Sequence, residues 1–309
     1  MFATLLGGLP APDGGGDLNR QIEVAIRAQE AAGLEPITDG RLRDPDFERP
    51  GTALDGWRFA AGLTDRALKQ VLPGPYTIGW RVDDQAAPGA VVDRAATTMA
   101  LAGAIRSEIE ALAAAGCPMV EIEETQAHRI GDDDGERRLF RDAHRLLTDG
   151  VAGTHLSLSI VGPAAASAGI ETILAAPYAS LALDLIAGPD NWNLVTRTPG
   201  DRGIVVGALG GREAIDEPKE VLLWAAHYAA STGGRGTARV GIGSAGSYAN
   251  LTWAAAIRKM QALGRAARLA ALPPGDELAD AVDQRSISAR SAAMGRASGA
   301  RPAPKDPPR

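Results

Sequence analysis

The sequence predicts an α/β protein of the (β/α)8 TIM-barrel type. Short runs that are mostly apolar on both faces recur along the chain, as strands covered on both sides require. Helical patterns lie between most of them, and such alternation means a parallel sheet. Eight units of this kind, spread over about 270 residues, match the size of a barrel. A doubly wound open sheet is the runner-up. It is weakened because Gly14-Gly15-Gly16, between the first strand and first helix, lacks the G-x-G-x-x-G spacing of a dinucleotide-binding turn.

In chain order, Ala3–Leu6 reads as the first strand. Asp17–Ala32 follows as a helix, with Asp17 as N-cap and Gly33 as its stop. Glu35–Thr38 is the second strand. The chain is irregular after Gly40, through Pro45, Pro50 and Gly51, before a helix near Thr64–Val71. Tyr76–Gly79 is read as the third strand. Asp93–Ala115 is a long helix, with Ile105, Ile109 and Leu112 on one face, and Gly116 ends it. The strand Met119–Ile122, the helix Glu136–Leu147 and the strand His155–Ile160 come next. Then follow the helix Ile170–Ala176 and the strands Leu181–Leu185 and Gly203–Ala208, joined by a stretch too short for a full helix. Lys219–Ala230, Ala238–Ile242 and Ser247–Leu272 complete the series. These units form one expected domain, residues 1–272. Residues 273–309 are rich in Ala, Arg, Pro and Ser with almost no large apolar side chains. That segment is expected to be mostly disordered, because it cannot bury enough surface to offset ordering.

Composition narrows the function. Apolar content of 45% and charged content of 23% allow a large core in a chain of 309 residues. A formal charge of −6 argues against a nucleic-acid surface, which needs a basic face. The single cysteine, Cys117, excludes an internal disulfide and a thiolate metal cluster. The N-terminus has no basic segment before its short apolar run, so no signal peptide is expected. No stretch is apolar enough to span a membrane. The expectation is a soluble, cytoplasmic protein acting on a small molecule.

In a parallel barrel, chemistry sits just past the C-terminal ends of the strands. Reading those positions gathers Asp39 and Arg41, Trp80 and Arg81, Glu123 and Glu124, His155 and Ser157, Asp184, Gly207–Gly211, and Ser244 with Ser247. This set suits a polar, partly planar ligand, with an aromatic face, carboxylates for N–H groups and an arginine for a carboxylate. Glu123-Glu124 is the most informative pair, because adjacent carboxylates at a strand end repel and resist burial. Asp184, inside LALDLIAG, needs partners for the same reason. His128, His144 and His227 read as structural or exposed.

The chain also resembles a known family. ATLLGGLPAP, QIEVAIRAQEAAGLEPITDGRLR, LPGPYTIGW, AAAGCPMVEIEET and THLSLS follow the order of motifs in the catalytic barrel of cobalamin-independent methionine synthase. The wider superfamily includes uroporphyrinogen decarboxylase. The resemblance implies a zinc site, and carries its ligands onto His155, Ser157, Asp184 and Ser244. Ser157 and Ser244 stand where the family has cysteines, and Asp184 where it has glutamate. Serine hydroxyls do not ionise near neutral pH, so zinc is not expected. The family's glutamate after T-D-G is Arg41 here, and the aspartate of another strand is Gly210.

The reading that follows is a methyl or one-carbon transferase with diverged, zinc-free chemistry. Glu123, His155 and Asp184 are its candidate catalytic groups. Asp39, Arg41, Trp80, Glu124, Ser157 and Ser244 are its candidate substrate contacts, with a reduced folate as the candidate planar ligand. Two alternatives stay open: a metal-free lyase or decarboxylase using Arg41, Arg43 and Arg81, and a binding protein without catalysis.

Overall fold

The computed structural model describes residues 1–44, 51, 53–87, 92–211, 217–273 and 275. The expected disordered segment therefore falls almost wholly outside the described residues. Within them the order is β1 (Phe2–Thr4), α1 (Leu18–Ala32), α2 (Ala53–Ala61), β2 (Lys69–Pro73), α3 (Pro75–Asp84), α4 (Arg94–Ala114), β3 (Met119–Glu124) and α5 (Asp134–Thr148). It continues with β4 (His155–Ile160), α6 (Ile170–Ile173), β5 (Ser180–Asp184), α7 (Trp192–Arg197), β6 (Gly203–Gly210), α8 (Lys219–Ser231), β7 (Val240–Ala245) and α9 (Trp253–Ala270).

The seven strands form one parallel sheet in the order β1-β7-β6-β5-β4-β3-β2. From β2 to β7 each strand neighbours the next in sequence, so the sheet curls in one direction. The order reversal of a doubly wound sheet is absent. The expected second strand, residues 35–38, is a single bridge between Ile37 and Leu68. It nonetheless bonds to both edges of the sheet. Glu35 N donates to Ala3 O of β1 (2.8 Å), and Lys69 N of β2 donates to Ile37 O (2.9 Å).

One prediction fails outright. Tyr76–Gly79 is helical, and the strand there is Lys69–Pro73, where a helix was expected over Thr64–Val71. Gly74-Pro75 explains it. Proline at the first helical position has no N–H to lose and a fixed φ suited to a helix, so the chain turns from strand to helix at this dipeptide.

Elsewhere the local signals hold. Asp17 accepts from Arg20 N at 2.9 Å, and Gly33 ends α1 at φ 79°. Residues Ile22, Ala25, Ile26 and Gln29 form the buried face of α1. Gln29 closes a two-way bond with the Thr38 backbone, accepting from Thr38 N (2.9 Å) and donating to Thr38 O (2.7 Å). A helix side chain thus pins the segment that leads into Asp39 and Arg41.

Side chains divide by strand register. Ile122, Leu158, Ile160, Leu181 and Leu183 face the helices and join the main apolar core. The concave face carries a small separate cluster of Leu6, Ala182 and Val205, with Phe2 and Val161 against it. The rest of that face is polar, and it carries the site.

Candidate functional site

Strand β3 reads M-V-E-I-E-E, and alternate residues point to opposite faces. Glu121 and Glu123 therefore share the concave face, while Glu124 turns outward. The structure bears this out in bonds. Arg41 Nη1 meets both carboxylate oxygens of Glu123, at 2.8 and 2.9 Å. Glu123 is 4% exposed and the Arg41 side chain 11%, so the pair is nearly dry. Arg41 has φ 56°, rare for a residue with a Cβ. Asp39 helps hold it there, its carboxylate accepting from Arg41 N at 2.8 Å. Burial pushes the Asp39 carboxyl above its ordinary pKa, opposed by that N–H and by the charges of Arg41 and Arg43.

Below this pair, Lys69 Nζ donates to Glu121 Oε2 at 2.8 Å and to Leu5 O at 2.7 Å. Neither side chain of this ion pair is exposed at all. Burial pushes the Glu121 carboxyl up, and Lys69 opposes the shift. Sequence reading missed both residues. Lys69 was placed in a helix, and Glu121 was passed over inside an apolar run. The period-two spacing of Glu121 and Glu123 was the available signal.

Glu124 lies between β3 and the helices, and all its bonds are internal. It accepts from Tyr76 N (3.1 Å), Thr77 N (2.7 Å) and Thr77 Oγ1 (2.5 Å) at the start of α3. His144 Nε2 on α5 lies 3.0 Å from Glu124 Oε1, and Tyr178 Oη lies 2.6 Å from His144 Nδ1. With Tyr178 donating, His144 Nε2–H donates to the carboxylate. Glu124 thus accepts four hydrogen bonds, the full complement of a carboxylate, all from groups of the protein itself. His144, read from the sequence as structural or exposed, is buried.

Four other predicted site residues have bonded or stacked partners within the protein. Trp80 sits on the second turn of α3. Two guanidinium groups already lie over its ring, Arg94 at 4.0 Å and Arg129 at 4.5 Å from the centroid. His155 opens β4 at the end opposite the strand C-termini, and the register pairs Glu123 with Ser159. Its Nε2 is 2.8 Å from Ser180 Oγ, which donates to Ser157 Oγ at 2.9 Å. Desolvation there lowers the His155 pKa below its ordinary value. Asp184 does stand at a strand end and does have partners. They are backbone N–H groups, with Ile186 and Ala187 at 2.9 Å and Gly162 at 3.2 Å. Ser244 Oγ accepts from Leu6 N (2.7 Å) and donates to Leu6 O (3.0 Å), stitching β7 to the end of β1.

Among the predicted site residues, the structure thus brings together Asp39, Arg41 and Glu123. Ser157 lies on the same face nearer the strand starts. Two of the three cations of the decarboxylase alternative are engaged, Arg41 by Glu123 and Arg43 by Asn19 Oδ1 (2.5 Å) and the Phe59 ring (4.8 Å). Among the described residues no helix is long and apolar enough to cross a membrane.

A curled parallel sheet with charged side chains on its inner face is the scaffold of barrel-type small-molecule sites. Residues 57–172 match the family described as cobalamin-independent synthase, catalytic domain. A 5-methyltetrahydropteroyltriglutamate–homocysteine methyltransferase from Caulobacter vibrioides is 34% identical over 114 residues, covering 35% of this chain and 14% of that protein. Its counterpart from Mesorhizobium japonicum is 28% identical, with 35% of this chain and 18% of that protein aligned. The chain therefore spans under a fifth of either curated relative. A B12-independent methionine synthase structure from Shewanella sp. W3-18-1 superposes with a TM-score of 0.72 at 14% identity, covering 86% of this chain and 96% of that one. A putative vitamin-B12 independent methionine synthase from Listeria monocytogenes gives 0.65 at 16% identity, covering 87% and 97%. The resemblance read from the sequence holds: this chain is similar to the cobalamin-independent methionine synthases, in sequence over its central third and in fold over most of its length.

Proposed function

We propose that this chain is a methyl or one-carbon transferase whose ligand site is the concave face around Arg41 and Glu123, and that it works without zinc. The observation carrying this reading is the Arg41–Glu123 ion pair, held nearly dry on the inner face of a methionine-synthase-like sheet. Arg41 offers a planar fork to a ligand carboxylate. Glu123 is the base that takes the acceptor's proton. The methyl carbon then passes to the acceptor, its bonding pair stays on the donor nitrogen, and Glu123 returns the acceptor's proton to that nitrogen. A reduced folate as donor follows from the named activity of the curated relatives.

The donor set does not fit zinc. Ser157 and Ser244 supply neutral hydroxyls already bonded to Ser180 and Leu6. The Asp184 carboxylate accepts from three backbone N–H groups, and His155 is tied to Ser180. Among the described residues no group of three or more His, Cys, Asp or Glu side chains is placed to hold a metal. Residues 1–272 act as one barrel in this reading, with residues 35–38 as the stave between β1 and β2.

The test is a binding and turnover assay with a 5-methyltetrahydrofolate donor, together with elemental analysis of protein purified without chelator. Binding and chelator-resistant transfer, lost at least about 100-fold in Glu123→Gln, is the expected outcome. Stoichiometric zinc overturns the metal-free mechanism. Full activity in Glu123→Gln overturns the assignment of the base.

A further inference from the structure

Among the described residues, two polar atoms of the concave face have no hydrogen-bond partner. Glu121 Oε1 and Ser159 Oγ are fully buried and have no hydrogen-bond partner among the described residues. They sit on neighbouring strands, and the register puts Ser159 opposite Glu123, two residues beyond Glu121 on the same face. A buried polar group left unbonded forfeits the hydrogen bonds it made in water, so two together mark a place built for a third party.

The surroundings define its chemistry. Lys69 and Arg41 carry two positive charges, and Glu121 and Glu123 carry two negative ones. The cluster is balanced, and a further charge in this dry interior costs several kcal/mol. The occupant is therefore neutral. It must donate to Glu121 Oε1, which only accepts when ionised. It must also bond Ser159 Oγ, which donates or accepts. A hydroxyl, with one hydrogen and two lone pairs, meets both demands with one atom. The nearby Ser157 and Ser180 hydroxyls bond each other at 2.9 Å and are not needed for it.

We propose that the face below Arg41–Glu123 is a recognition site for a single hydroxyl group, bonded by Glu121 Oε1 and Ser159 Oγ, filled by water at rest and by an alcohol of the ligand when loaded. The proposal rests on the concave-face reading above, and adds a functional group that the ligand must carry.

The probe is 2-fluoroethanol, followed by fluorine NMR line broadening on the full chain, with crystals grown with and without it. Saturable broadening is expected with the wild type. Loss of one hydrogen bond predicts affinity weakened about tenfold in Ser159→Ala. Ser159→Val, which also fills the space, abolishes it. Crystals without probe show a water within about 3.2 Å of both atoms, displaced when the probe is present. Equal broadening in both variants overturns the proposal, as does a dry site or a water that stays in place beside the probe. Because the probe needs no turnover, alcohol binding in a protein without transferase activity sinks the proposed function and leaves this site. Activity with unaltered binding in Ser159→Ala does the reverse.

Discussion

Replacing Lys69 with methionine tests the inner face most directly. Methionine is close to lysine in volume and fills the space without a charge. The substitution removes the 2.8 Å contact to Glu121 and the 2.7 Å bond to Leu5 O. Glu121 keeps its charge in a site with no exposure and loses its adjacent cation. Breaking a buried pair in this way costs about 3–5 kcal/mol, and that loss is expected at pH 7 in urea unfolding. Burial already raises the Glu121 pKa against the pull of Lys69, and without Lys69 it rises further. A carboxyl raised in the folded state contributes stability below its unfolded pKa, and loses it as pH climbs through the folded value. The deficit of Lys69→Met therefore shrinks between about pH 8 and about pH 5. The double variant Lys69→Met, Glu121→Leu removes both charges and returns to within about 2 kcal/mol of wild type. A loss under about 1 kcal/mol in the single variant, or one equal at both pH values, refutes the reasoning.

Glu124→Gln turns an NH2 group toward donors and should lose about 2–4 kcal/mol by thermal unfolding, whereas Glu123→Gln should lose less stability and more activity. His155 has a lowered pKa, so the stability it contributes is present above its unfolded pKa and fades as pH falls through the folded value. His155→Gln should therefore flatten the fall in unfolding free energy between about pH 7 and about pH 5. Trp80→Phe should cost about 1 kcal/mol through weaker cation–π contacts. It should leave the affinity for a reduced pterin within about twofold in a binding titration, because its ring faces arginines.

Much of the sheet was legible in the sequence, because most of its strands are apolar runs bounded by Gly or Pro. The exception is instructive. Lys69–Pro73 hides as K-Q-V-L-P because its lysine points into the structure, where periodicity rules expect apolar side chains. The same inward charge concealed Glu121. Asp184 was read as a pocket group because a buried carboxylate needs partners, and the kind of partner was beyond the sequence. Three backbone N–H groups of two turns satisfy it, and only the fold brings Gly162 to it. Glu123 and Glu124 were read as a joint centre because adjacency is visible in sequence and facing is not.

That adjacency has a cost for how this stretch can change. Two identical residues in succession are assigned to two compartments, one opposite Arg41 and one among helix N–H groups and His144. Gaining or losing one residue within β3 would move one of them into the other's address, since a one-residue slip flips every side chain of a strand. An insertion before Glu123 would turn Ile122 toward Arg41, and a deletion there would leave Thr125 facing the four donors around Glu124. Substitutions along β3 can be accommodated singly, but insertions and deletions there cannot. An alignment of relatives that opens a gap inside Met119–Glu124 is therefore misaligned, whatever its score.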